Sequence, residues 1–283
     1  MKKTMIAGLL LAAFASFAAQ AQEAPPLPST LPSSTDAPTG KAANDGGWTG
    51  TGELGFASTT GNSRTQNINA KLNFNQETDQ WKNNAFLTEL RAKSESKVVD
   101  SAGNTVNSFD ETANDFTTGA SAGYKLDPRS YIVGAVRYDH NDFGAQLWQG
   151  VVSIGYGYIA LKDDRNELSF EVGPGYMRFR PAAVDVLIDG NEVPQQTQVE
   201  NQAVARGLID YKLRITDNTS FDNTFLMEAG SKDTYLQNDA GISVSMTKKL
   251  ALKLGFQIRH NTSVLPGIKM NDTLTTTNLA YSF

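Results

Sequence analysis

The chain has 283 residues, no cysteine, and 25 basic against 30 acidic residues, which gives a formal net charge of −5. Without cysteine it has no disulfide framework, no thiolate chemistry and no thiol for a lipid anchor. The negative net charge argues against a nucleic acid as a partner. The length allows one large domain or two small ones.

The amino terminus has the pattern of a secretory signal peptide. Lys2 and Lys3 precede an apolar run from Met5 to Ala19, and Ala19-Gln20-Ala21 has the small-x-small form of a cleavage site. The run is shorter than the roughly 20 residues of a membrane-spanning helix. We therefore predict a signal peptide over residues 1–21. Removing its two lysines leaves 23 basic against 30 acidic residues, a formal charge of about −7.

Residues 22–46 have the composition of a linker. Five of the ten prolines lie here, mixed with serine, threonine and alanine. Such a segment buries too little apolar surface to offset its conformational entropy. We predict a disordered periplasmic tether that ends where the folded region, residues 47–283, begins.

From Trp48 onward the chain alternates with a period of two residues, which predicts β-strands. In Trp148 to Ala160 the even positions read Trp, Gly, Val, Ile, Tyr, Tyr and Ala, whereas the odd ones include Gln149 and Ser153. Most segments match the 9–11 tilted residues of a membrane-crossing strand. Twelve are predicted, centred near 48–58, 64–76, 81–92, 111–126, 131–138, 147–160, 167–179, 202–215, 221–229, 235–246, 250–259 and 273–283.

The connections between these segments alternate in length. The odd-numbered ones are 59–63, 93–110, 139–146, 180–201, 230–234 and 260–272, and the even-numbered ones are 77–80, 127–130, 161–166, 216–220 and 247–249. Outer-membrane barrels have short periplasmic turns, longer outside loops and an even number of strands. The prediction is an all-β chain that forms a single antiparallel transmembrane β-barrel of about twelve strands in the bacterial outer membrane. A soluble periplasmic β-protein is the alternative. Within the longest loop, Val184 to Ile188 and Glu192 to Gln198 are predicted to form a hairpin.

Three features favour lipid outside the barrel over a buried apolar core. The alternate strand positions that carry polar residues are rich in Gly, Ser, Thr and Asn, as a water-filled interior requires. Most prolines lie in the connections between strands. Aromatic residues cluster near segment ends, as in an interfacial girdle: Trp81, Tyr124, Tyr131, Tyr211, Phe221 and Phe283. The last strand, TLTTTNLAYSF, resembles the carboxy-terminal strand that the outer-membrane insertion machinery reads. Expected partners are this machinery, through Phe283, together with outer-membrane lipids and lipopolysaccharide.

Several stretches resemble a known family. Trp48 to Phe56 (WTGTGELGF) with Thr60-Gly61-Asn62-Ser63 is similar to the opening of a family of unknown function whose members are commonly labelled salt-induced outer-membrane proteins. Gly155 to Tyr158, Glu171 to Gly175, Leu265-Pro266 and the closing Leu279 to Phe283 agree with it. The resemblance implies a barrel and a role in osmotic regulation, and it supplies no functional residues.

The sequence offers little for catalysis, and we predict neither an enzyme nor a cofactor nor a metal centre. His140 and His260 are the two histidines, and both lie at predicted outer ends of strands. Ser263 is three residues from His260, and odd spacing in a strand points to opposite faces. Asp139, His140 and Asp142 could bind a divalent ion, yet such residues are also ordinary turn formers. An outer-leaflet lipid hydrolase is the least favoured hypothesis.

The interior is the main candidate site. Inward charges can line a water-filled pore or pair across it and plug it. The first hypothesis is therefore a narrow channel for small hydrophilic solutes or ions, and the second is a structural or lipopolysaccharide-contacting envelope protein. Parity places the following charged residues inward: Glu53, Lys71, Arg91, Glu171, Arg206, Asp210, Arg214, Glu228, Asp239, Lys253 and Arg259.

Overall fold

In the described part of the chain, the computed structural model has fourteen strands as its regular structure. The structure describes residues 47–59, 64–99, 104–188, 191–195, 197–264 and 268–283. The predicted signal peptide and linker lie outside these residues. The strands are β1 (Trp48–Thr59), β2 (Thr65–Glu77), β3 (Trp81–Val99), β4 (Thr105–Lys125), β5 (Ser130–Asn141), β6 (Gln146–Lys162), β7 (Asn166–Pro181), β8 (Val184–Ile188), β9 (Asn191–Gln195), β10 (Glu200–Arg214), β11 (Thr219–Gly230), β12 (Thr234–Ser245), β13 (Leu250–Asn261) and β14 (Asn271–Ser282).

Twelve of the strands close into one antiparallel barrel, as the sequence predicts. Neighbours in sequence pair around the ring, β7 pairs with β10, and β14 returns to pair with β1. The remaining two strands, β8 and β9, form a separate two-stranded sheet between β7 and β10. This hairpin was predicted, although its second strand spans Asn191–Gln195 and not Glu192 to Gln198. Among the described residues there is no helix that is long and apolar enough to cross a membrane.

One end of the barrel, here called the short-turn end, carries connections of three or four residues after β2, β4, β6, β10 and β12. Asx turns close two of them. In the turn after β4, Oδ1 of Asp127 accepts hydrogen bonds from the backbone N–H groups of Arg129, at 2.7 Å, and Ser130, at 2.9 Å. These bonds favour the charged carboxylate and lower the pKa of Asp127. Asp163 closes the turn after β6 in the same way. The opposite end is called the long-loop end.

At the long-loop end, β3 and β4 extend well past their neighbours. Glu95 pairs with Phe109 and Val99 pairs with Thr105. The predicted loop 93–110 is therefore mostly a continuation of the two strands, and that prediction was wrong in extent. The segment's polar residues hide the alternation, but β-branched Val98 and Val106, which pair directly, favour a strand. A register shift between Ala92 and Lys93 marks where this extension begins.

The outer surface of the barrel is apolar and carries aromatic residues near the ends of the strands. Leu54, Val172 and Leu254 are among the many large apolar side chains exposed there. Trp81 packs edge-on against Tyr124 with ring centroids 5.3 Å apart, and Phe74 packs against Phe283 at 6.1 Å. Tyr131, predicted to belong to this girdle, instead points inward and is buried. An apolar exterior around a closed sheet is the arrangement of a transmembrane β-barrel.

Candidate functional site

The inward face of the barrel is mostly buried, and it is polar apart from apolar clusters such as the one on β6, β7 and β10, where Val151, Met177, Phe179 and Val204 pack together. Along β13 the odd-numbered residues Lys253, Gln257 and Arg259 are buried. The even-numbered Leu252 and Leu254, on either side of Lys253, are exposed. The same alternation runs along β12, where Gln237 and Asp239 are buried. Because successive side chains of a strand point to opposite faces, the hydrogen-bonded register carries the polar parity around the ring.

Nine of the eleven predicted lumen residues have side chains that are buried or half-buried among the strands' inward faces. These are Glu53, Lys71, Glu171, Arg206, Asp210, Glu228, Asp239, Lys253 and Arg259. Arg214 shares their parity on β10, but it lies at the short-turn end of the strand and is exposed.

Arg91 does not face the interior, and this residue corrects the sequence interpretation. Its side chain is 62% exposed and pairs on the surface with Glu89, with Nε and Oε1 2.8 Å apart. Arg91 is paired with Ile68 of β2, whose side chain is 53% exposed on the outer surface. Because directly paired residues on neighbouring strands point to the same face, Arg91 also faces outward. The inward residues of β3 include Phe86, Thr88 and Leu90. Since both parities of β3 mix apolar and polar residues, alternation alone assigned the wrong face.

The first cluster of interior charges is centred on Arg137 of β5. Its guanidinium binds Asp139 on the same strand, and its Nη2 lies 2.5 Å from Oε2 of Glu228 on β11. Asp139 also accepts hydrogen bonds from Oγ1 of Thr117, at 2.9 Å, and Nε2 of Gln149, at 3.1 Å. Glu228 is 1% exposed. The Arg137–Glu228 contact joins strands that are not neighbours, so it crosses the interior.

Arg206 of β10 extends this cluster toward the short-turn end. Its Nη1 lies 3.1 Å from Oε2 of Glu171, and its Nε lies 3.9 Å from Oε1 of Glu228. The hydroxyl of Tyr131 donates to Oε1 of Glu171 at 3.0 Å. One arginine therefore faces both carboxylates, which places alternating charges along the wall of the lumen.

A second cluster lies near the joint between β14 and β1. Nζ of Lys253 is 3.4 Å from Oε1 of Glu53 and 3.7 Å from Oδ2 of Asp222. Nδ2 of Asn278 donates to Oε2 of Glu53 at 3.1 Å. Asp239 accepts from the side-chain amide of Gln257. Carboxylates, amides and the Lys253 ammonium thus line this wall on five consecutive strands, β11 to β14 and β1.

A further ion pair joins Arg259 of β13 to Asp115 of β4, with Nη1 of the arginine 3.6 Å from Oδ2 of the aspartate. These strands are five places apart around the ring, so this contact spans almost the full width of the barrel. The side chain of Asp115 is fully buried. Two charge pairs, Arg259–Asp115 and Arg137–Glu228, therefore bridge the lumen.

Four charged residues of these clusters were missed from the sequence: Asp115, Arg137, Asp139 and Asp222. Arg137 shares a parity with Tyr131, Val133 and Ala135, which resembles a lipid-facing pattern and hid its direction. Asp115 continues the small, polar series Thr117, Gly119, Ser121 and Gly123 on β4, and this series was the signal that could have placed it inward.

Two cavities bounded by described residues lie in the interior beside these clusters. A cavity of about 190 Å³ lies toward the short-turn end, where Lys82, Tyr131, Arg206 and Asp210 contribute to its wall and Arg137 and Glu228 also line it. A second, of about 50 Å³, lies beside Glu53, Lys71 and Lys253. The two share no lining residue. Each cavity therefore lies against one of the charge clusters.

The two histidines do not converge on a hydrolytic arrangement in the described part of the chain. Nε2 of His140 lies 3.0 Å from Oδ1 of Asp142, and Nδ1 of His260 lies 2.7 Å from Oδ1 of Asn271. Asp139 turns inward to Arg137, away from His140 and Asp142. In the same residues no group of three acidic or histidine side chains is placed to bind a metal ion.

The sequence profile of a family described as "Protein of unknown function, DUF481" matches residues 52–283. The chain belongs to this family. Among curated proteins no sequence match is found.

The solved structures similar to this DUF481 chain include two autotransporter domains and a channel. The β-domain of the Bordetella autotransporter BrkA has 11% identity over 84% of this chain and 99% of its own, with a TM-score of 0.42. The translocator domain of NalP from Neisseria meningitidis has 10% identity over 83% and 87%, with a TM-score of 0.46. The COG4313 outer-membrane channel from Pseudomonas putida F1 has 11% identity over 88% and 98%, with a TM-score of 0.44.

Proposed function

We propose that this DUF481 protein is an outer-membrane barrel whose narrow, charge-lined interior passes ions or small hydrophilic solutes when its bridging ion pairs rearrange. The observation that carries the proposal is the content of the interior. Among the described strand residues, four basic and six acidic side chains are buried there. They are Lys71, Arg137, Lys253 and Arg259, with Glu53, Asp115, Asp139, Asp222, Glu228 and Asp239.

Stability alone does not explain so many buried charges. Replacing a buried ion pair by apolar residues of similar volume is often neutral or stabilising, because desolvation offsets most of the Coulomb attraction. A barrel selected only for rigidity would be served as well by an apolar filling. Charged side chains along the interior wall instead suit a path for hydrated solutes, in which they set the ion preference.

The outer membrane is the proposed location, with the short-turn end in the periplasm. The apolar exterior with aromatic residues near the strand ends supports a membrane position, and the turn lengths support the orientation. Membrane lipids and lipopolysaccharide would then surround the barrel. We propose that the insertion machinery recognises the final strand through Phe283, whose ring packs beside those of Tyr281 and Phe74.

Conductance in planar lipid bilayers tests the channel. The purified protein is first shown to be a folded barrel by its heat-dependent migration on SDS gels. The double variant Arg137→Ser/Glu228→Ser, which removes one of the two bridges, is recorded beside the native chain. We expect discrete openings in the native protein and a severalfold larger conductance in the variant. Silence in both folded proteins would overturn the proposal.

A structural envelope protein is the second candidate. It is favoured by one observation, that Arg137 and Glu228 meet across the lumen with almost no exposed surface. In that case the pairs are a permanent plug, and the barrel contacts lipopolysaccharide without conducting. The silent outcome above, together with an envelope made leaky to detergents by deletion of the gene, would support this reading.

An osmotic role rests on the sequence resemblance to salt-induced outer-membrane proteins. We propose that synthesis of the protein rises with external salt. Transcript and protein levels compared at low and high salt test this directly, with sucrose at equal osmolarity separating ionic from osmotic signals. Unchanged levels under both conditions would remove the osmotic role and leave the channel proposal untouched.

A further inference from the structure

Glu228 of β11 lies between two arginines, one across the lumen and one on its own side. Its Oε2 is 2.5 Å from Nη2 of Arg137 on β5, and its Oε1 is 3.9 Å from Nε of Arg206 on β10. Oε1 is buried and accepts no hydrogen bond from the described residues. Arg206 and Glu228 are directly paired across the β10–β11 ladder. The carboxylate therefore has a second cation beside it, with which it makes no close contact in the structure.

Arg137 likewise has an ionic partner on its own side of the barrel. Asp139, two positions along β5, binds its guanidinium. Asp139 is itself held by hydrogen bonds from side chains of β4 and β6, the two strands next to β5. Across the lumen the guanidinium contacts Glu228 and lies 5.0 Å from the ring centroid of Tyr235 on β12. Arg137 is thus attached to both sides of the barrel, and Asp139 is its attachment on the near side.

The bridge can therefore break without leaving a charge alone. Removing one member of a buried ion pair is costly, because the other charge stays in a poorly solvated place without compensation. When this bridge breaks, Glu228 still has Arg206 and Arg137 still has Asp139. Each of these two pairs lies on one side of the barrel. The exchange thus costs far less than the separation of an isolated buried pair.

The other pair that spans the lumen, Arg259–Asp115, has a different environment. Both carboxylate oxygens of Asp115 lack hydrogen bonds from the described residues. The cross-strand partners of Asp115 are Leu90 on β3 and Asn141 on β5, and neither is basic. Separation of this pair would leave Asp115 buried with no cross-strand neighbour to compensate its charge. Of the two bridges, the one between Arg137 and Glu228 is therefore the one suited to partner exchange.

The larger cavity provides the space in which these side chains can move. Arg137, Arg206 and Glu228 all line it. Its volume of about 190 Å³ is well above what one water molecule requires, so water can replace the hydrogen bonds that Arg137 loses on leaving Glu228. Arg206 is held in place by Glu171, whose Oε2 lies 3.1 Å from its Nη1. The cation that receives Glu228 is thus in position before Glu228 moves.

We propose that the lumen is gated by an exchange of ion-pair partners, in which Glu228 turns from Arg137 to Arg206 and Arg137 folds back beside Asp139. The inference rests on the channel proposed above and names its gate. In the closed state the bridge crosses the lumen, as in the structure. In the open state both ion pairs lie against the walls, and hydrated ions pass between them.

Single-channel recordings test the gate through the open probability. Arg206→Gln removes the cation that receives Glu228, so the open probability should fall about tenfold, the effect of losing one charge-assisted hydrogen bond. Arg206→Lys keeps the charge and should restore most of the native value. Arg214→Gln is the matched control, because Arg214 has the same parity on β10 but is exposed at the short-turn end. Its open probability should equal that of the native chain.

Arg206→Gln also leaves Glu171 without its arginine, so the barrel fold of each variant is first checked by heat-dependent migration on SDS gels. If this variant does not fold, the double variant Arg206→Gln/Glu171→Gln takes its place. It removes both charges of the pair, and its open probability should fall by a similar factor.

The outcomes separate the gate from the channel. An unchanged or higher open probability in folded Arg206→Gln, with the native chain conducting, would overturn the gate and leave the channel in place. An equal fall in Arg214→Gln would do the same. Silence of the native chain and of Arg137→Ser/Glu228→Ser would overturn the channel and the gate with it. Adding Arg137→Ser to Arg206→Gln removes the bridge itself, and the return of frequent openings would support the exchange.

Discussion

Nη2 of Arg137 and Oε2 of Glu228 lie 2.5 Å apart inside the barrel, although 91 positions separate the two residues in the chain. The contact joins strands four places apart around the ring and leaves both side chains almost without exposed surface. Its removal therefore tests both the stability and the permeability of the barrel.

Glu228→Gln should destabilise the barrel by about 3–5 kcal/mol, because it leaves the Arg137 guanidinium buried with a weaker set of partners. The matched control is Glu200→Gln, which breaks the exposed pair with Lys232 and should change stability by less than about 1 kcal/mol. Urea unfolding in detergent micelles, followed by tryptophan fluorescence, gives both values. Equal losses in the two variants would mean that the interior charges are hydrated like surface ones.

Charge neutralisation in the lumen should shift ion selectivity in opposite directions. Among the described strand residues, six buried carboxylates against four buried cations predict a weak cation preference in the native channel. Arg206→Gln should increase this preference and Glu228→Gln should reduce it, as measured by reversal potentials across a salt gradient. Arg91→Gln is the control, since Arg91 lies on the outer surface and should leave the potential unchanged. Shifts of the same sign for the two lumen variants would show that these residues do not line the conducting path.

Gly50→Ala should weaken the closing strand. A Cβ atom at this position would overlap the ring of Phe283, which lies across Gly50 and packs on Phe74. Displacing the ring should cost about 1–3 kcal/mol and lower the yield of heat-modifiable barrel. Gly134→Ala is the matched control, because nothing lies within 4 Å of its added Cβ atom. The idea fails if both variants fold with native yield and stability.

The orientation predicts which connections are accessible on intact cells. An epitope inserted between Ile188 and Asn191, at the tip of the β8–β9 hairpin, should bind antibody without permeabilisation. One inserted after Asp127, in a turn at the short-turn end, should bind only after the outer membrane is opened. The reverse pattern would place the short turns outside.

The strands were predictable because each depends on local alternation and each turn on local residue chemistry. Asp127-Pro128-Arg129-Ser130 reads as a turn in the sequence and forms one. The direction of a charged side chain was predictable only where one parity of the strand was clearly polar, as around Lys253 and Asp239. The predicted direction was wrong for Arg91, and Arg137 was not predicted to face inward, because both sets of alternate positions on these strands carry apolar residues. Contacts across the lumen, such as Arg259–Asp115, depend on which strands oppose one another after closure, and no local pattern contains that information.

The short ladder between β1 and β14 has a kinetic consequence. Glu53 and Asn278 are 225 positions apart, whereas most other neighbouring strands are joined by a short turn. Hairpins therefore form at a small cost in loop-closure entropy. Ring closure comes last, and it is stabilised by only four residue pairs between β1 and β14. Until then the sheet has two free edges, which can pair with the edges of another molecule. The yield of monomeric barrel on refolding should therefore fall as the number of chains per micelle rises.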